Sequence, residues 1–468
     1  MNIRPEDFST DTPPVRTIGL ECEYNLQVSP DSDKGGYDFV SPVALNGSGV
    51  ANHGGYLGEA HGAGRVYPDV GHLEFDTRES PGPAAAAVED IEGIARIADV
   101  VTRTGYAHDG LYRLAGTYVQ NGRVESFTGQ TDRSSAGRTS GYHENYLIPR
   151  AVSTDSLIDA LLPTVLATRV WGMSGTLRRE GFVFGQKVWG NGGNPVERTL
   201  ARRTTHGEKP MVIIPPIISD QDTIGSDSWA RAEVRMADPG LSIVNRYLSF
   251  AEVSLALRLV ELQRIVGRTA IERICLADPV HAAKRFGGDL SLQAVAVVGE
   301  KTTTWLDTQE QLLDLFEVLN EKVQLPEDEK LAIVAIRSLL TALRQSKPAH
   351  AEYANLVRLR TDFAPRHQFI SHGKNQTAIN AYSHEAMQRN LLWDRVLPAG
   401  NGYRYWAGMS AKDPLARQVR LLAEQSGKTR RSVVRALIID KDTNGSQVLN
   451  WSRYRDPTGT VRSLGDPA

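Results

Sequence analysis

The sequence is poor in cysteine and carries no excess of charge of either sign. Its 468 residues include two cysteines, Cys22 and Cys275, without CxxC or zinc-type spacing. Neither a disulfide framework nor a structural zinc site is therefore predicted, and a reduced, cytoplasmic setting is expected. Lys and Arg number 53 against 55 Asp and Glu, and the formal charge of −2 predicts no general attraction to nucleic acid or to an acidic membrane surface.

Long apolar runs and secretory features are also missing. Residues 212–218 and 292–298 are apolar but far shorter than the roughly 20 residues of a membrane span. The longer run over 243–266 is interrupted by Arg, Glu and Gln at helical spacing, which predicts an amphipathic core helix. The first residues, MNIRPEDFSTDTPP, lack the apolar segment of a secretory signal, so neither export nor a membrane partner is expected.

The composition is that of a globular protein with a large core. Hydrophobic residues make up 41% of the chain and charged residues 23%, which predicts one large domain with a small appendage. GxxxxGK[ST], GxGxxG and GxSxG motifs do not occur in a strand-to-helix context. P-loop, Rossmann and hydrolase-elbow sites are therefore not predicted.

The order of the predicted elements favours the α+β class. Period-two alternation and turn residues predict strands, and apolar stripes at helical spacing predict helices. The strands are expected at 15–28, 65–76 (broken at Pro68 and Gly71) and 142–148, and the helices at 88–101, 154–173, 242–266 and 308–347. Strands followed by a helix, more strands and a helical block argue against a doubly wound parallel sheet.

Acidic residues lie on several of these predicted strands. Glu21 and Glu23 alternate with apolar neighbours, so both project from one face of their strand. Asp69 and Glu74 belong to the next strand pair, and His143 begins a third strand. Carboxylates that face one cavity repel one another unless cations neutralise them, and Mg²⁺ with nucleotide phosphates suits such oxygen ligands. From the pattern alone, an exposed sheet face with solvated carboxylates stays open as an alternative.

Three segments around these residues resemble the catalytic segments of the Pup ligase and depupylase family. They are GLECEY at 19–24, RVYPDVGHLEF at 65–75 and SGYHENYLIPR at 140–150. Similar stretches are also found at 157–175, 276–289 and 379–387, so the resemblance extends over nearly the whole chain. It implies a glutamine-synthetase-like α+β fold, with a curved antiparallel sheet flanked by helices. A catalytic domain over residues 1–398 and a small C-terminal domain over 399–468 are expected.

The resemblance also implies a site for ATP and Mg²⁺ over the concave sheet. Carried over segment by segment, Glu21, Tyr67 and Glu74 would hold one magnesium ion, and Glu23 and His143 another. Asp69 stands in the position of the family's central aspartate, the base that activates the attacking nucleophile. A carboxylate beside two cations stays ionised and can accept a proton from a lysine amine or a water molecule.

Glu233 marks a departure from the family pattern. The family has a histidine in the strand that matches residues 230–234, and Glu233 occupies that position here. Glutamate can also ligate magnesium, so Glu233 is predicted as a further metal ligand and the neighbouring Arg231 as an ATP contact. The family's proline after the histidine of the second segment is missing as well, since Leu73 follows His72.

The phosphate-binding arginine of the family has no unique counterpart in this sequence. One alignment places it in residues 202–210, where Arg202 and Arg203 become candidate ATP contacts. The other alignment uses residues 213–220, which contain no arginine.

The resemblance implies phosphoryl transfer from ATP as the first step. A ligase phosphorylates the terminal glutamate side chain of Pup, and a substrate lysine then displaces phosphate to form an isopeptide bond. A depupylase uses phosphate retained with ADP to cleave that bond or to deamidate a terminal glutamine. Depupylases carry a long insertion between the first two segments, whereas only residues 25–64 separate them here. We therefore predict a ligase whose partners are Pup, or a Pup-like peptidic carboxylate, and a lysine-bearing protein.

Three alternatives stay open at this point. The chain could be a depupylase or deamidase, a ligase for another small or peptidic carboxylate, or a non-catalytic nucleotide-binding module. Asp69 discriminates between an enzyme and a binding module, because its loss is expected to stop turnover while ATP binding persists.

Overall fold

The computed structural model of the chain describes most of the predicted catalytic domain and part of the C-terminal segment. The described residues are 13–28, 38–40, 64–69, 72–103, 110–112, 119–120, 123–124, 141–178, 181–185, 198–201, 210–214, 228–299, 301–346, 354–371, 384–397, 401–427, 447–448, 453–455, 458 and 461–463.

The secondary structure mixes short strands with long helices. The strands are β1 (Thr17–Val28), β2 (Asp38–Val40), β3 (Arg65–Asp69), β4 (His72–Asp76), β5 (Ser80–Pro81), β6 (Gly110–Tyr112), β7 (Val119–Gln120), β8 (Arg123–Val124), β9 (Tyr142–Pro149), β10 (Thr176–Arg178), β11 (Gly181–Val183), β12 (Arg198–Ala201), β13 (Pro210–Ile213), β14 (Trp229–Val234), β15 (Val295–Val298), β16 (Lys301–Thr304), β17 (Arg395–Leu397), β18 (Gln447–Val448), β19 (Arg453–Arg455) and β20 (Val461–Ser463). The helices are α1 (Pro83–Arg103), α2 (Ser156–Thr168), α3 (Ile243–Glu261), α4 (Gln263–Val266), α5 (Arg268–Glu272), α6 (Pro279–Gly288), α7 (Trp305–Lys322), α8 (Glu327–Gln345), α9 (Asn355–Arg360), α10 (Phe363–Ser371), α11 (His384–Asp394), α12 (Asn401–Ser410) and α13 (Pro414–Ser426).

A central sheet runs through the molecule in the order β12-β13-β14-β9-β1-β4-β3. Neighbouring strands on this path are antiparallel, apart from β12 and β13, which run parallel. β2, β5 and β6 also pair with β1. The predicted α+β class with a mainly antiparallel sheet is therefore confirmed.

The register of this sheet places predicted site residues of neighbouring strands directly opposite one another. Glu21 pairs with His143 on one side and Asp76 on the other, and Glu23 pairs with Glu74. Residues directly opposite in a ladder project from the same face of the sheet. We call this the carboxylate face, and its members are Glu21, Glu23, Glu74, Asp76, His143, Asn145, Arg231 and Glu233. On β3, the backbone of Tyr67 pairs with Glu74 and that of Asp69 with His72.

The opposite face of the sheet packs against helices α1, α2 and α3, and we call it the helix face. Its positions alternate with those of the carboxylate face and hold Cys22, Phe75, Tyr142, Tyr146 and Ala232, all buried. Alternation between Glu21 and Glu23 predicts Cys22 as a core residue on the opposite strand face, and its burial confirms this. Burial of this apolar layer is the main stabilising contribution of the sheet.

The charged residues of α3 do not form a solvated stripe. Arg246, Glu252 and Arg258 are fully buried, and α3 is buried along nearly its whole length. Arg246 donates to the Asp238 carbonyl at 2.6 Å, and Arg258 donates to Glu329 at 3.3 Å. The prediction of a core helix is confirmed, but its amphipathic character was wrong, because hydrogen bonds and ion pairs inside the protein replace water around the arginines.

The helix predicted over 154–173 is divided in two. α2 begins at an Asp155 cap, whose carboxylate accepts from the Leu157 N–H at 2.9 Å, and ends at Thr168. A 3₁₀ turn over Val170–Gly172 follows and holds the fully buried Trp171. Arg169 between them leaves the helical conformation, and its guanidinium reaches Glu144 on the helix face.

The predicted boundary between residues 398 and 399 stays a prediction. α13 from the C-terminal segment packs against α1 and α3, and β18, β19 and β20 form a small separate sheet. The sequence pattern also predicts a long Gly- and Asn-rich loop over 41–64 and a strand at 432–440. Residues 41–63 of that loop and the whole of that strand lie outside the described residues. Within the described part of the chain, we find no helix with the length and apolar character needed to cross a membrane.

Candidate active site

Glu21 lies at the centre of the carboxylate face. Its Oε2 atom lies 3.0 Å from Nδ1 of His143, and its Oε1 accepts from the Asn145 amide at 3.3 Å. Burial opposes ionisation of Glu21, but the bond to His143 and the charge of Arg231 leave its pKa below the ordinary value. Glu21 is therefore an anion at neutral pH. Its side chain is 18% exposed.

Glu23 lies two residues further along β1 and is fixed by Gly141. The Gly141 N–H donates to the Glu23 carboxylate, and the Glu23 N–H donates to the Gly141 carbonyl at 3.0 Å. A Cβ atom at position 141 would lie 2.7 Å from Oε1 of Glu23, closer than van der Waals contact permits. The glycine that precedes β9 therefore sets the position of this carboxylate.

Glu74 and Asp76 extend the carboxylate face onto β4. Both side chains are buried, and Glu74 stands directly opposite Glu23 in the ladder. On β3, the backbone of Tyr67 continues the row of Glu74 and that of Asp69 lies in the next row on the same face, while both side chains lie outside the described part of the structure. The predicted magnesium ligands and the predicted base thus come from five strands that are neighbours in the sheet, in the order β14-β9-β1-β4-β3.

The carboxylate of Glu233 on β14 is bonded to two arginine side chains. Oε2 of Glu233 lies 2.9 Å from Nη2 of Arg231, and Oε1 accepts from Nε of Arg235, the residue that follows β14. Burial would raise the pKa of Glu233, but Arg231, Arg235 and His143 lower it to about 2. The role of Glu233 as a metal ligand stays a prediction.

Two polar atoms on this face are buried and have no hydrogen-bond partner among the described residues. They are Nε of Arg231 and Oδ1 of Asn145. Buried polar atoms are usually paired, so two unpaired polar atoms on one face are typical of a surface that binds a polar ligand.

The donor chemistry of the face fits magnesium. Glu21, Glu23 and Glu74 supply carboxylate oxygens, which Mg²⁺ prefers, whereas the imidazole of His143 is a less usual magnesium ligand. Within the described part of the chain, no group of three His, Cys, Asp or Glu side chains is arranged to hold a metal ion. The central carboxylate, Glu21, is bonded to His143 and Asn145, so these hydrogen bonds occupy oxygens that a magnesium ion would use.

Sequence reasoning missed several members of this site. Asn145 and Arg235 were not predicted as site residues, although alternation places Asn145 two positions after His143 on β9 and Arg235 two positions after Glu233, immediately beyond β14. Arg202 and Arg203 directly follow β12 in the sequence but lie outside the described residues, so the choice between the two alignments is still open.

A second charged group lies directly behind the site, on the helix face. Glu144 is fully buried and accepts from Arg169 at 2.9 Å, from Ser249 at 3.1 Å and from Tyr146 at 2.9 Å. This group connects β9 to α3 and to Arg169, the residue that follows α2. It therefore holds the strand that carries His143 and Asn145 in a fixed position relative to the helices.

Comparisons with known proteins identify the family of the chain. The profile of the Pup-ligase protein family matches residues 27–455. A Pup–protein ligase of Bifidobacterium animalis subsp. lactis is 26% identical over 322 residues, which cover 67% of this chain and 60% of that ligase. A Pup–protein ligase of Acidimicrobium ferrooxidans is 24% identical over 348 residues, or 72% of this chain and 71% of the relative. The chain thus spans about three fifths of the length of the bifidobacterial ligase.

Solved structures share the fold. A complex between the prokaryotic ubiquitin-like protein Pup and its ligase PafA superimposes with a TM-score of 0.69 and 17% identity, covering 97% of this chain and 89% of that one. The Pup ligase PafA in complex with ADP gives a TM-score of 0.66, also with 17% identity, and covers 91% and 89% of the two chains. With the family profile matched from Gln27, near the end of β1, to Arg455, the last residue of β19, the chain belongs to the Pup-ligase protein family.

Proposed function

We propose that the chain is an ATP- and magnesium-dependent ligase that joins the side chain of a terminal glutamate of Pup to a lysine of a second protein. The observation that carries this proposal is the carboxylate face. It combines ionised Glu21 with Glu23 and Glu74 on adjacent strands and places Arg231 at their side. Family membership supports the choice of substrates, because the matched relatives are Pup–protein ligases.

The proposed reaction has two steps. In the first step, a carboxylate oxygen of the Pup glutamate attacks the γ-phosphorus of ATP, and the bond to ADP breaks. In the second step, the lysine amine attacks the carbonyl carbon of the resulting γ-glutamyl phosphate, phosphate leaves with the electron pair of the broken bond, and the amine loses a proton. Positioning and charge neutralisation supply most of the acceleration in phosphoryl transfer.

The chain's own residues have distinct roles in this proposal. Glu21, Glu74 and Tyr67 would hold one magnesium ion, and Glu23 and His143 the other. Bound magnesium would neutralise the phosphate oxygens that the carboxylates would otherwise repel. Arg231 would donate hydrogen bonds to the phosphate groups, since its Nε has no partner among the described residues.

Asp69 is the proposed base. It lies on β3, in the row next to the one that contains Glu74 and Glu23, at one end of the acidic surface. A carboxylate kept ionised by nearby cations would accept the lysine proton as the amine attacks. The main chain alone supports this position, because β3 is anchored to β4 by an unbroken ladder from residue 65 to residue 69.

The proposal is tested with purified chain, ATP, magnesium and Pup in its terminal-glutamate and terminal-glutamine forms. A lysine-bearing acceptor protein is included, and intact masses of all proteins are recorded. A conjugate from the glutamate form supports ligation, whereas loss of ammonia mass from the glutamine form identifies a deamidase instead. ADP formed with hydroxylamine as the trap, but without any conjugate, indicates another carboxylate substrate. A chain that binds ATP without any turnover is a binding module.

A further inference from the structure

The carboxylate face has an acidic part and a basic edge. The acidic part lies on β1 and β4 and contains Glu21, Glu23 and Glu74. The basic edge lies on and just beyond β14 and contains Arg231 and Arg235, which we call the arginine pair. The phosphate groups of a nucleotide can contact magnesium ions bound at the acidic part and guanidinium groups at the basic edge.

Glu233 belongs to the basic edge by its contacts. Its two carboxylate oxygens are each bonded to a different member of the arginine pair, and its side chain is only 4% exposed. Nδ1 of His143 lies 3.8 Å from Oε1 of Glu233, too far for a hydrogen bond. Magnesium at this carboxylate would displace bonds to two cations and would itself be repelled by both.

The arginine pair keeps donors that Glu233 does not use. Nε of Arg231 is buried without a partner among the described residues, and its Nη1 lies 3.6 Å from Oε1 of Glu21, beyond hydrogen-bond distance. The Arg235 side chain is 32% exposed, so it is partly accessible from solution. Planar guanidinium donors match phosphate oxygens in geometry and charge.

We propose that Glu233 is the counter-ion of the arginine pair, that the pair binds a phosphate group of the nucleotide, and that Glu233 is not a magnesium ligand. The inference rests on the proposed function for the identity of the anion. Because Glu233 cancels one of the two positive charges, it weakens the hold of the pair on phosphate and favours release of the spent nucleotide. Glu233 is thus a positioning residue that acts through the two arginines.

This role and the role of a metal ligand predict effects of opposite sign. Glu233→Gln keeps the size of the side chain and removes its charge, so ADP binding in EDTA is expected to become about tenfold tighter. The magnesium concentration for half-maximal ADP binding should stay within about twofold of the wild-type value, since no ligand is lost. Both quantities are measured by isothermal titration calorimetry.

Two further variants serve as references. Glu23→Gln removes a carboxylate of the same face that bonds to a backbone N–H, and we expect it to raise the half-maximal magnesium concentration about tenfold. Arg235→Gln removes one donor group and should weaken ADP binding in EDTA about tenfold. It tests the pair independently if Glu233→Gln fails to fold, which circular dichroism would show.

The outcomes separate this inference from the proposed function. If Glu233→Gln weakens ADP binding only when magnesium is present, Glu233 is a metal ligand and the inference is wrong. The proposed function is untouched by this result, because it is tested by ligation with the wild type. Inorganic tripolyphosphate serves as a second probe. If the wild type binds tripolyphosphate but not ADP, and Glu233→Gln tightens that binding, the inference holds and the nucleotide-dependent function fails. If the wild type binds neither anion, the inference is overturned.

Discussion

The two faces of the central sheet use charged residues in opposite ways. On the helix face, Glu144 is fully buried and accepts hydrogen bonds from Arg169, Ser249 and Tyr146. On the carboxylate face, Glu21 and His143 remain about one fifth exposed, with side-chain values of 18% and 20%. Two neighbouring polar atoms there have no partner among the described residues.

This difference distinguishes charges that stabilise the fold from charges that prepare a site. His143 and Glu144 are consecutive on β9, and strand alternation alone sends them to opposite faces. A charge whose bonds all end inside the protein has a structural role, because breaking one bond leaves the other partner buried and unpaired. A charge that keeps solvent contact and lies beside unpaired atoms can still bind a ligand. Substitutions on the two faces should therefore affect different measurements.

The largest expected effect is on the carboxylate face. Asp69→Asn removes the proposed base, so the rate of conjugate formation should fall by a factor of about 10² to 10⁴. ADP binding should persist, and the melting temperature should not fall, since one negative charge leaves a face that already carries several. The measurements are intact-mass kinetics, calorimetry with ADP and thermal unfolding. Unchanged product formation would contradict the assignment of Asp69 as the base.

Arg169→Met tests the helix face. It leaves Glu144 buried without its cation, and the free energy of unfolding should fall by about 3–5 kcal/mol. The rate constant at saturating substrate should change little at temperatures where the variant is folded. Arg337→Met is the matched control, because Arg337 pairs with Asp314 and Glu317 at the surface, where an ion pair contributes about 0–1 kcal/mol. Equal losses for the two variants, measured by urea unfolding, would remove the distinction between the faces.

Glu252→Gln sharpens the comparison through pH. Burial raises the pKa of Glu252 to about 8, against the opposing effects of Arg169, Gln309 and Trp171. An acid with a raised pKa in the fold contributes stability at low pH that is lost as pH rises through the folded value. The wild type should therefore lose stability between about pH 4.5 and pH 8, and the variant should lose about 1.4 kcal/mol less per pH unit within that window.

The measurement is urea unfolding at a series of pH values. Asp328 also has a pKa raised by burial, to about 7, so part of the slope should remain in the Glu252→Gln variant. Parallel slopes for the wild type and the variant would show that Glu252 does not take up a proton in this window. Activity is a poor readout here, because titration on the carboxylate face would be superimposed on it.

Alternation and spacing were sufficient to predict the strands that build the site. TIGLECEYNL predicts β1 and places Glu21 and Glu23 on one face, and the hairpin at 65–76 follows from its turn residues. The pairing of these strands with one another depends on long-range contacts, which a local pattern does not encode. The same limit explains α3: its arginines and glutamates have the spacing of a solvated stripe, and only the tertiary partners show that they are buried.

The contacts of Glu233 show a related limit. The sequence places Arg231 and Glu233 on one strand face, and this spacing is compatible both with a metal ligand beside a phosphate contact and with an ion pair. The direction of the side chains decides between them, and each Glu233 oxygen meets a guanidinium group. Residue type and spacing thus identify the chemistry available at a site, whereas the pairing of charges requires the coordinates.

Gly141→Ala gives the smallest expected effect and tests the precision of the carboxylate face. The new Cβ would lie 2.7 Å from Oε1 of Glu23 and would push that carboxylate away from the Gly141 N–H. Loss of about one hydrogen bond predicts a roughly fivefold rise in the magnesium concentration needed for half-maximal turnover. The melting temperature should change little, because the displaced group is the end of a flexible side chain.

Gly408→Ala is the matched control for this substitution. A Cβ at position 408 on α12 meets no atom within 4 Å, so neither the magnesium requirement nor the fold should suffer. If Gly141→Ala leaves the magnesium requirement at the wild-type value, the position of Glu23 does not matter for metal binding. The ligand set would then have to be found among the remaining carboxylates on β1 and β4. A large fall in melting temperature would instead place Gly141 with the structural residues of the helix face.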